Sequence, residues 1–358
     1  MNFIVILKIK EITFHKYFVA LLAFFFIHGV LNYTIIGIPY NFMISQILGI
    51  AVVGTYYYNL VSIYKPTEVI KVYCKMALWV AIIGYPLYFL GIHVGNEGEQ
   101  RFYSFFKEPA HYAIVVLPAC YYYFKQKQYF PFLVIFSTLI LSSSSLGYVG
   151  CALLFLLPNL TFKRIGYFIA ITPVLILTFI YVYQNFEFFK MRVGETYDSL
   201  NVVNTGKFEN YTNLSTYVLI SNVYIAKKNV IDHPLGSGIG SHHYMHTKRY
   251  LKEMRPPAYL VSQGKQKDNS FDANSLFTRL CSEFGIFGFF SIVFSLVFLA
   301  KCYKHNELYF AQGIVIYFLL KLFRDGTYFP PELFFFIWIF YFSYKEFVSK
   351  KEVQKISL

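Results

Sequence analysis

Charge is what this chain has least of. Only 14% of its 358 residues are Asp, Glu, Lys or Arg, where a soluble domain carries about a quarter. Aspartate is scarcest: Asp198, Asp232, Asp268, Asp272 and Asp325 are all there is, and no two stand two apart. The D-x-D pattern of metal-dependent nucleotide-sugar transferases is therefore missing, and no metal requirement is expected. The five cysteines (Cys74, Cys120, Cys151, Cys281, Cys302) fit neither zinc nor iron–sulfur spacing. No internal repeat and no midplane run of ionisable groups is present, which argues against a transporter.

What remains is apolar. Hydrophobic residues make up 56% of the chain and aromatic residues 21%. The pattern predicts an all-α, polytopic membrane protein of about ten helices, over 17–38, 41–63, 74–92, 109–124, 128–146, 147–162, 165–185, 274–300, 308–323 and 332–344. The first run is too long for a signal-peptide core and no small-residue cleavage site follows it, so it is retained. Tyr56–Tyr58 and Tyr121–Tyr123 fall at span ends, where an interfacial aromatic belt is expected.

The net charge of +13 sits in short clusters between apolar runs rather than in a nucleic-acid patch. Lys8, Lys10 and Lys16 precede span one; Lys65, Lys71 and Lys75 separate two from three; Lys125 and Lys127 four from five. Lys163 and Arg164 separate six from seven, Lys301 and Lys304 eight from nine, and Lys345, Lys350, Lys351 and Lys355 close the chain. Ten spans put all these clusters on one side, so both termini are expected to be cytoplasmic. The cysteines then lie within spans or at their cytoplasmic ends, as buried small apolar residues outside any disulfide framework.

The opposite face gathers the polar chemistry. RFYSFFKEPAHYA (101–113) places Arg101, Lys107, Glu108 and His111 at the mouth of span four. Pro109 suits the first helical position and leaves Glu108 at the N-cap, beside free N–H groups that suit an anion. Arginine's planar fork matches phosphate. A capping carboxylate with interfacial anchors is the plainer alternative.

One long external loop, 186–273, lies between spans seven and eight inside a single membrane domain, 1–358, and includes Arg192. Its stretch 214–230 reads as a helix with a broad apolar face, suited to the membrane surface. The helix stops at DHPLGSGIGSHH, where Gly236, Gly238 and Gly240 permit a sharp turn or a close approach to ligand, the turn being favoured. His242, His243 and His246 read as solvated loop histidines. Span eight opens with Asn274 and carries Arg279 and Glu283 four apart, hence on one face. Facing lipid at mid-depth each would cost about 3 kcal/mol, so they face protein or water, as a mutual pair or toward substrate. Arg324 and Asp325 stand in the last external loop, and Ser142–Ser145 end span five, where helix packing explains them.

In this order, these residues resemble the Wzy-type O-antigen and capsular polysaccharide polymerases, and more distantly the O-antigen ligases. RFYSFFKEPAHYA is similar to an R-x-x-S-x-F-x-E-P opening of a span, SSSSLGY to a following serine-rich stretch, HPLGSGIG to a P-L-x-G-x-G loop element, and NSLFTRLCSEFGIFG to N-x-x-L-x-x-x-x-E-x-G-I-x-G. Two positions depart from the pattern: Leu146 stands where relatives often have arginine, and Ala273 where the ligases often have histidine. The resemblance implies a glycosyltransferase of the bacterial plasma (inner) membrane. It would join polyprenyl-diphosphate-linked oligosaccharide repeats at the outer face, without a cofactor, either alone or beside a chain-length regulator protein. Glu108 or His111 would serve as base. Arg101, Arg192, Arg279, Arg324, Gly236, Gly238, Asn274 and Glu283 would hold diphosphate or glycan. A ligase moving finished glycan to another acceptor is the runner-up, and a flippase of the lipid-linked glycan comes third.

Overall fold

The computed structural model describes residues 12–92 and 101–159, and residues 172–356 apart from six positions between 174 and 186. Among them every extended regular element is helical, and the only strand-like pairing is a single bridge between Lys207 and Arg255. The principal helices are α1 (Lys16–Ile36), α2 (Asn41–Ile63), α3 (Pro66–Phe89), α4 (Pro109–Lys125), α5 (Tyr129–Leu141), α6 (Ser145–Leu156), α7 (Glu187–Thr205), α8 (Leu214–Asp232), α9 (Leu276–Ala300), α10 (Tyr309–Phe323) and α11 (Pro331–Ile356). The span expected over 165–185 falls largely outside the described residues.

Local chemistry sets the boundaries. Gly37 closes α1 in the left-handed region, at φ 78°, and its N–H returns to the Tyr33 carbonyl. The third helix begins eight residues before the expected 74, because Pro66 takes its first turn and Glu68 lies near its positive end. The serine run is a reversal: Ser142 caps α5, Ser143 takes φ 46°, and Ser144 is the N-cap of α6. Each of these two helices is consequently only about 20 Å long, against an apolar layer of about 30 Å.

Among the described residues four helices are long and apolar enough to cross a membrane: Lys16–Ile36, Asn41–Ile63, Pro66–Phe89 and Leu276–Lys304. Their outward residues are large and apolar, with Val52 67%, Trp79 61% and Phe294 74% exposed. An exterior of this kind suits hydrocarbon better than water.

The centre is α4, buried at nearly every position from Tyr112 to Tyr123 and packed against α5, α6 and α10. Tyr121–Tyr123 are therefore core residues and not an interfacial belt, and the Tyr121 hydroxyl donates to Gln312 Oε1 at 2.6 Å. The reason is Gly313, which lets α10 approach the α4 backbone around Pro118 closely enough to cover these rings.

Connections segregate to two ends of the bundle. At one end the Phe102 N–H donates to the Leu141 carbonyl, Tyr33 reaches the Ile239 carbonyl, Arg279 reaches Gln46, and the Asp325 N–H reaches the Asn274 carbonyl. Loops following α1, α5 and α10 thus meet the 101–108 segment and the 206–275 region there. At the other end Thr13 bonds Asn59, His15 bonds Tyr341, and Gln312 bonds the His305 carbonyl.

The apolar face of α8 is covered by protein, not by a membrane surface: Tyr217, Ile220, Tyr224 and Ile225 are buried against α7, α9 and the turns after residue 241. Four of the five cysteines are buried, Cys281 is half-buried, and all five are free thiols.

Candidate functional site

At the polar end the structure brings Gly236, Gly238, Asn274, Arg279 and Glu283 together around a break in α9. Gly285 adopts φ 55° and ψ −130°, so the helix runs as two pieces. A break leaves backbone groups without partners, and inside an apolar layer those groups must be satisfied by protein. The 234–241 loop does this: the Ile286 N–H donates to the Pro234 carbonyl at 2.9 Å, and the Gly238 N–H to the Glu283 carbonyl at 2.8 Å.

Close approach explains the glycines. Gly236 (φ 86°) and Gly238 (φ 96°) occupy backbone space that other residues avoid. A Cβ at Gly236 would strike the Glu283 carbonyl, and one at Gly238 the Tyr33 ring. The sequence Pro234–Ser241 is thus a turn fitted to a helix backbone.

The Glu283 carboxylate is entirely buried and saturated. One oxygen accepts from Gly240 N–H and Tyr328 Oη, both at 2.8 Å, and the other from Arg279 Nε at 3.0 Å. Arg279 also donates from Nη1 to the Gly326 carbonyl at 2.9 Å and from Nη2 to Gln46 Oε1 at 2.8 Å, and its guanidinium lies 3.9 Å from the Tyr328 ring centre. The pair therefore faces protein, of the two possibilities its spacing leaves open. Asn274 (φ 58°) is also buried, and its carbonyl receives the Asp325 N–H. Beside it, burial pushes the Asp272 carboxyl up, against a hydrogen bond from the Asn274 N–H.

His242 and His246 are buried, contrary to the solvated reading, because the loop packs onto α8 and α9. Asn222 and Ser282 hold the two ring nitrogens of His242 at 3.0 and 2.8 Å. His246 has no partner at either ring nitrogen, and burial first, then His243 and Lys267, bring it down to about 4. His243 lies flat on Phe271, ring centres 3.6 Å apart.

A pH dependence follows from His246. Unfolded histidine binds a proton near pH 6.5, so the stability of the loop is complete above that value and is lost as pH falls toward 4. Between pH 7.5 and pH 5 the expected loss is about 2 kcal/mol. Hydrogen exchange of peptides covering 240–255 should accelerate over this range, and His246→Leu should reduce the change without abolishing it, since burial also holds His242 well below the usual value. An equal acceleration in the variant would remove His246 from the account.

Arg101, Glu108 and His111 belong to the segment that opens α4. Glu108 is its N-cap (φ −141°, ψ 146°), makes no side-chain capping bond and is exposed, as are His111 and Arg101. Arg101 borders a small crevice with Tyr88, Tyr103 and Ser104. Arg324 is exposed where α10 ends. Arg192 stands on α7, with its side chain outside the described residues.

Sequence reasoning missed Lys321 and Glu332. Lys321 is completely buried and paired with Asp325 at 2.5 Å. Burial alone would raise the Asp325 carboxyl, but the Lys321 charge and bonds from Lys321 and Thr327 hold it below the usual carboxylate range. Glu332, in the first turn of α11, is half-buried and feels the charges of Lys321, Asp325 and His111. The signal for the first was available: Lys321 and Asp325 show the same i, i+4 spacing as Arg279 and Glu283.

An apolar cavity of about 490 Å³ lies alongside, lined by Phe24 on α1, Phe284 and Ile292 on α9, Phe318 on α10, Phe340 on α11, and Tyr328. Among the described residues no group of three His, Cys, Asp or Glu side chains could hold a metal ion. Comparison with known proteins yields no match to a family model, a curated protein or a solved structure.

Proposed function

We propose that this protein is a Wzy-type polymerase, a glycosyltransferase that extends a polysaccharide from polyprenyl-diphosphate-linked repeats at the outer face of a bacterial plasma membrane. The observation that carries the reading is the convergence of helix ends. The start of α4 with Glu108 and His111, the end of α10 with Lys321 and Arg324, and the start of α11 with Glu332 share one polar end of an otherwise apolar bundle. On this reading ten spans place that end outside and both chain termini in the cytoplasm.

The reaction joins two lipid-linked glycans. An acceptor sugar hydroxyl forms a bond to the donor's anomeric carbon as that carbon's bond to the diphosphate breaks, and the electron pair leaves with the diphosphate. Arg101 and Arg324, with Arg192 on the neighbouring loop helix, supply cationic stabilisation of the departing group. Glu108 or His111 takes the hydroxyl proton. The apolar cavity between α1, α9, α10 and α11 suits a polyprenyl tail lying in the membrane. Arg279, Glu283, Asn274, Gly236 and Gly238 act one step back, by fixing the 234–241 loop and the 324–330 loop to α9.

Deletion of the gene tests the reading. Surface glycans of the deletion strain should be one repeat long on a polysaccharide gel, because export and attachment of single units continue. A ligase deletion would instead leave full-length polymer on the carrier lipid, and a flippase deletion would trap single repeats inside. Either pattern replaces the polymerase assignment.

A further inference from the structure

We infer that residues 101–108 form a re-entrant segment, a stretch of loop held roughly 13 Å inside the apolar layer, where water and lipid headgroups dip to meet it. The inference takes from the fold only that its long apolar helices cross a membrane, and it stands without the polymerase reading.

Two hydrogen bonds set the depth. Ser104 Oγ donates to the Val80 carbonyl at 2.8 Å. Val80 is far from the end of α3, which runs on through nine further residues to Phe89, about 13 Å along the axis. The Tyr73 hydroxyl donates to the Val115 carbonyl at 2.5 Å and fixes α3 against α4. Counted from that bond toward the polar end, seven residues bring α3 to Val80 and α4 to its N-cap, Glu108. The two bonds thus agree on one height for the 104–108 stretch. Gly84 makes the room, since a Cβ there would strike the Phe102 ring and the Ser104 side chain.

The surface of α3 at and beyond this height is apolar. Trp79 and Ile83 are 61% and 43% exposed, and Phe89 beyond them is 71% exposed. Lipid therefore stands higher against that face of α3 than the 101–108 segment stands in the bundle. Within the segment Phe102, Tyr103 and Ser104 are buried, but Arg101, Lys107 and Glu108 are exposed, and so is His111 in the first turn of α4. Charged groups and irregular backbone persist at such a depth only against protein or water. These side chains are uncovered, so it is water that reaches them.

A second feature lets the water in. The Phe102 N–H donates to the Leu141 carbonyl at 3.1 Å, which seats the segment on the tip of the α5–α6 hairpin. The two hairpin helices have 13 and 12 residues, so they fall about 10 Å short of the apolar layer. Phe130 and Leu133 on α5 and Val149 on α6 are well exposed, which suits direct contact with lipid. A lipid-facing hairpin shorter than the layer draws the bilayer thinner beside it. The partner that fits this flank is the phosphate-headgroup layer of the membrane, sunk to the level of Ser143 and Glu108. On the polymerase reading, a lipid-borne diphosphate meets Arg101 and Glu108 without leaving that layer.

The test uses full-length protein in phosphatidylcholine nanodiscs, with one cysteine added at a time. Trp79, Ile83, Lys107 and Ser143 are all exposed, so these substitutions leave the core intact, and wild-type protein gives the background of the native thiols. Lys107→Cys and Ser143→Cys should react with a charged, membrane-impermeant maleimide about 10-fold or more faster than Trp79→Cys and Ile83→Cys. Protection of Ile83, which lies further out along α3, beside labelling of the deeper segment is the expected signature. Lys107→Cys or Ser143→Cys as slow as Trp79→Cys overturns the inference. Fast reaction at all four positions overturns it too, because the outer half of α3 would then stand in water and 101–108 would be an ordinary surface loop. Melting of the wild-type protein gives a second measurement, with a higher midpoint expected in dimyristoleoyl than in dierucoyl lipid. An equal or higher midpoint in the longer lipid overturns the thin flank.

Discussion

Glu283→Ala should destabilise the folded protein by about 3–5 kcal/mol, the cost of leaving a buried charge without its partner. The Arg279 guanidinium would remain 2% exposed with Nε unpaired, while the Gly240 N–H and the Tyr328 hydroxyl would lose their acceptor. Glu283→Gln should be nearly as damaging, although it keeps the shape. One of its two terminal atoms is an NH₂ group, and both terminal positions of Glu283 face donors. The measurement is thermal unfolding of detergent-purified protein, with Arg279→Met and the double variant completing a cycle. The double variant should be more stable than the sum of the singles implies, because it removes both charges. Additive singles, or a Glu283→Ala protein as stable as wild type, would dismiss the pair as the anchor of the loop.

Gly285→Ala should cost about 3 kcal/mol or more. Two effects combine: φ 55° with ψ −130° is backbone that L side chains rarely adopt, and the new methyl would collide with the Pro234 carbonyl and the Leu235 backbone. The fold has no slack to relieve it, since Pro234 is held there by the Ile286 N–H. Gly194, within helix α7 with open space around its Cβ direction, is the control. Alanine there should be neutral or stabilising by up to about 1 kcal/mol. Melting curves of the two variants measure the contrast. A Gly285→Ala protein that melts with wild type would show that the break can straighten at no cost.

The long apolar helices were legible from runs of apolar residues, because a membrane-spanning segment must satisfy its own backbone whatever its neighbours do, whereas α7, in the polar stretch read as loop, was not. Glu108 at the N-cap and Pro109 at the first position follow from proline's missing N–H in the same way. Burial of polar groups was not legible. His242 and His246 stand in a polar stretch, and only the docking of that stretch onto α8 and α9 takes them out of water. Tyr121–Tyr123 have the composition of an interfacial belt, and only the close approach of α10 at Gly313 makes them core. Glu332 stayed hidden because the charges acting on it, Lys321, Asp325 and His111, stand outside its own helix, and periodicity within one helix carries no information about them.

The break at Gly285 also bears on how the protein is made. A segment entering a bilayer with an interrupted hydrogen-bond ladder is a poor insert until something closes the interruption. Here the closing piece, Pro234 to Ser241, precedes α9 in the chain and on the proposed topology is already outside when the helix arrives. Synthesis from the N-terminus therefore delivers the latch before the part it must hold. A circular permutant starting between Ser241 and Leu276 would reverse that order and present the broken helix to the membrane alone.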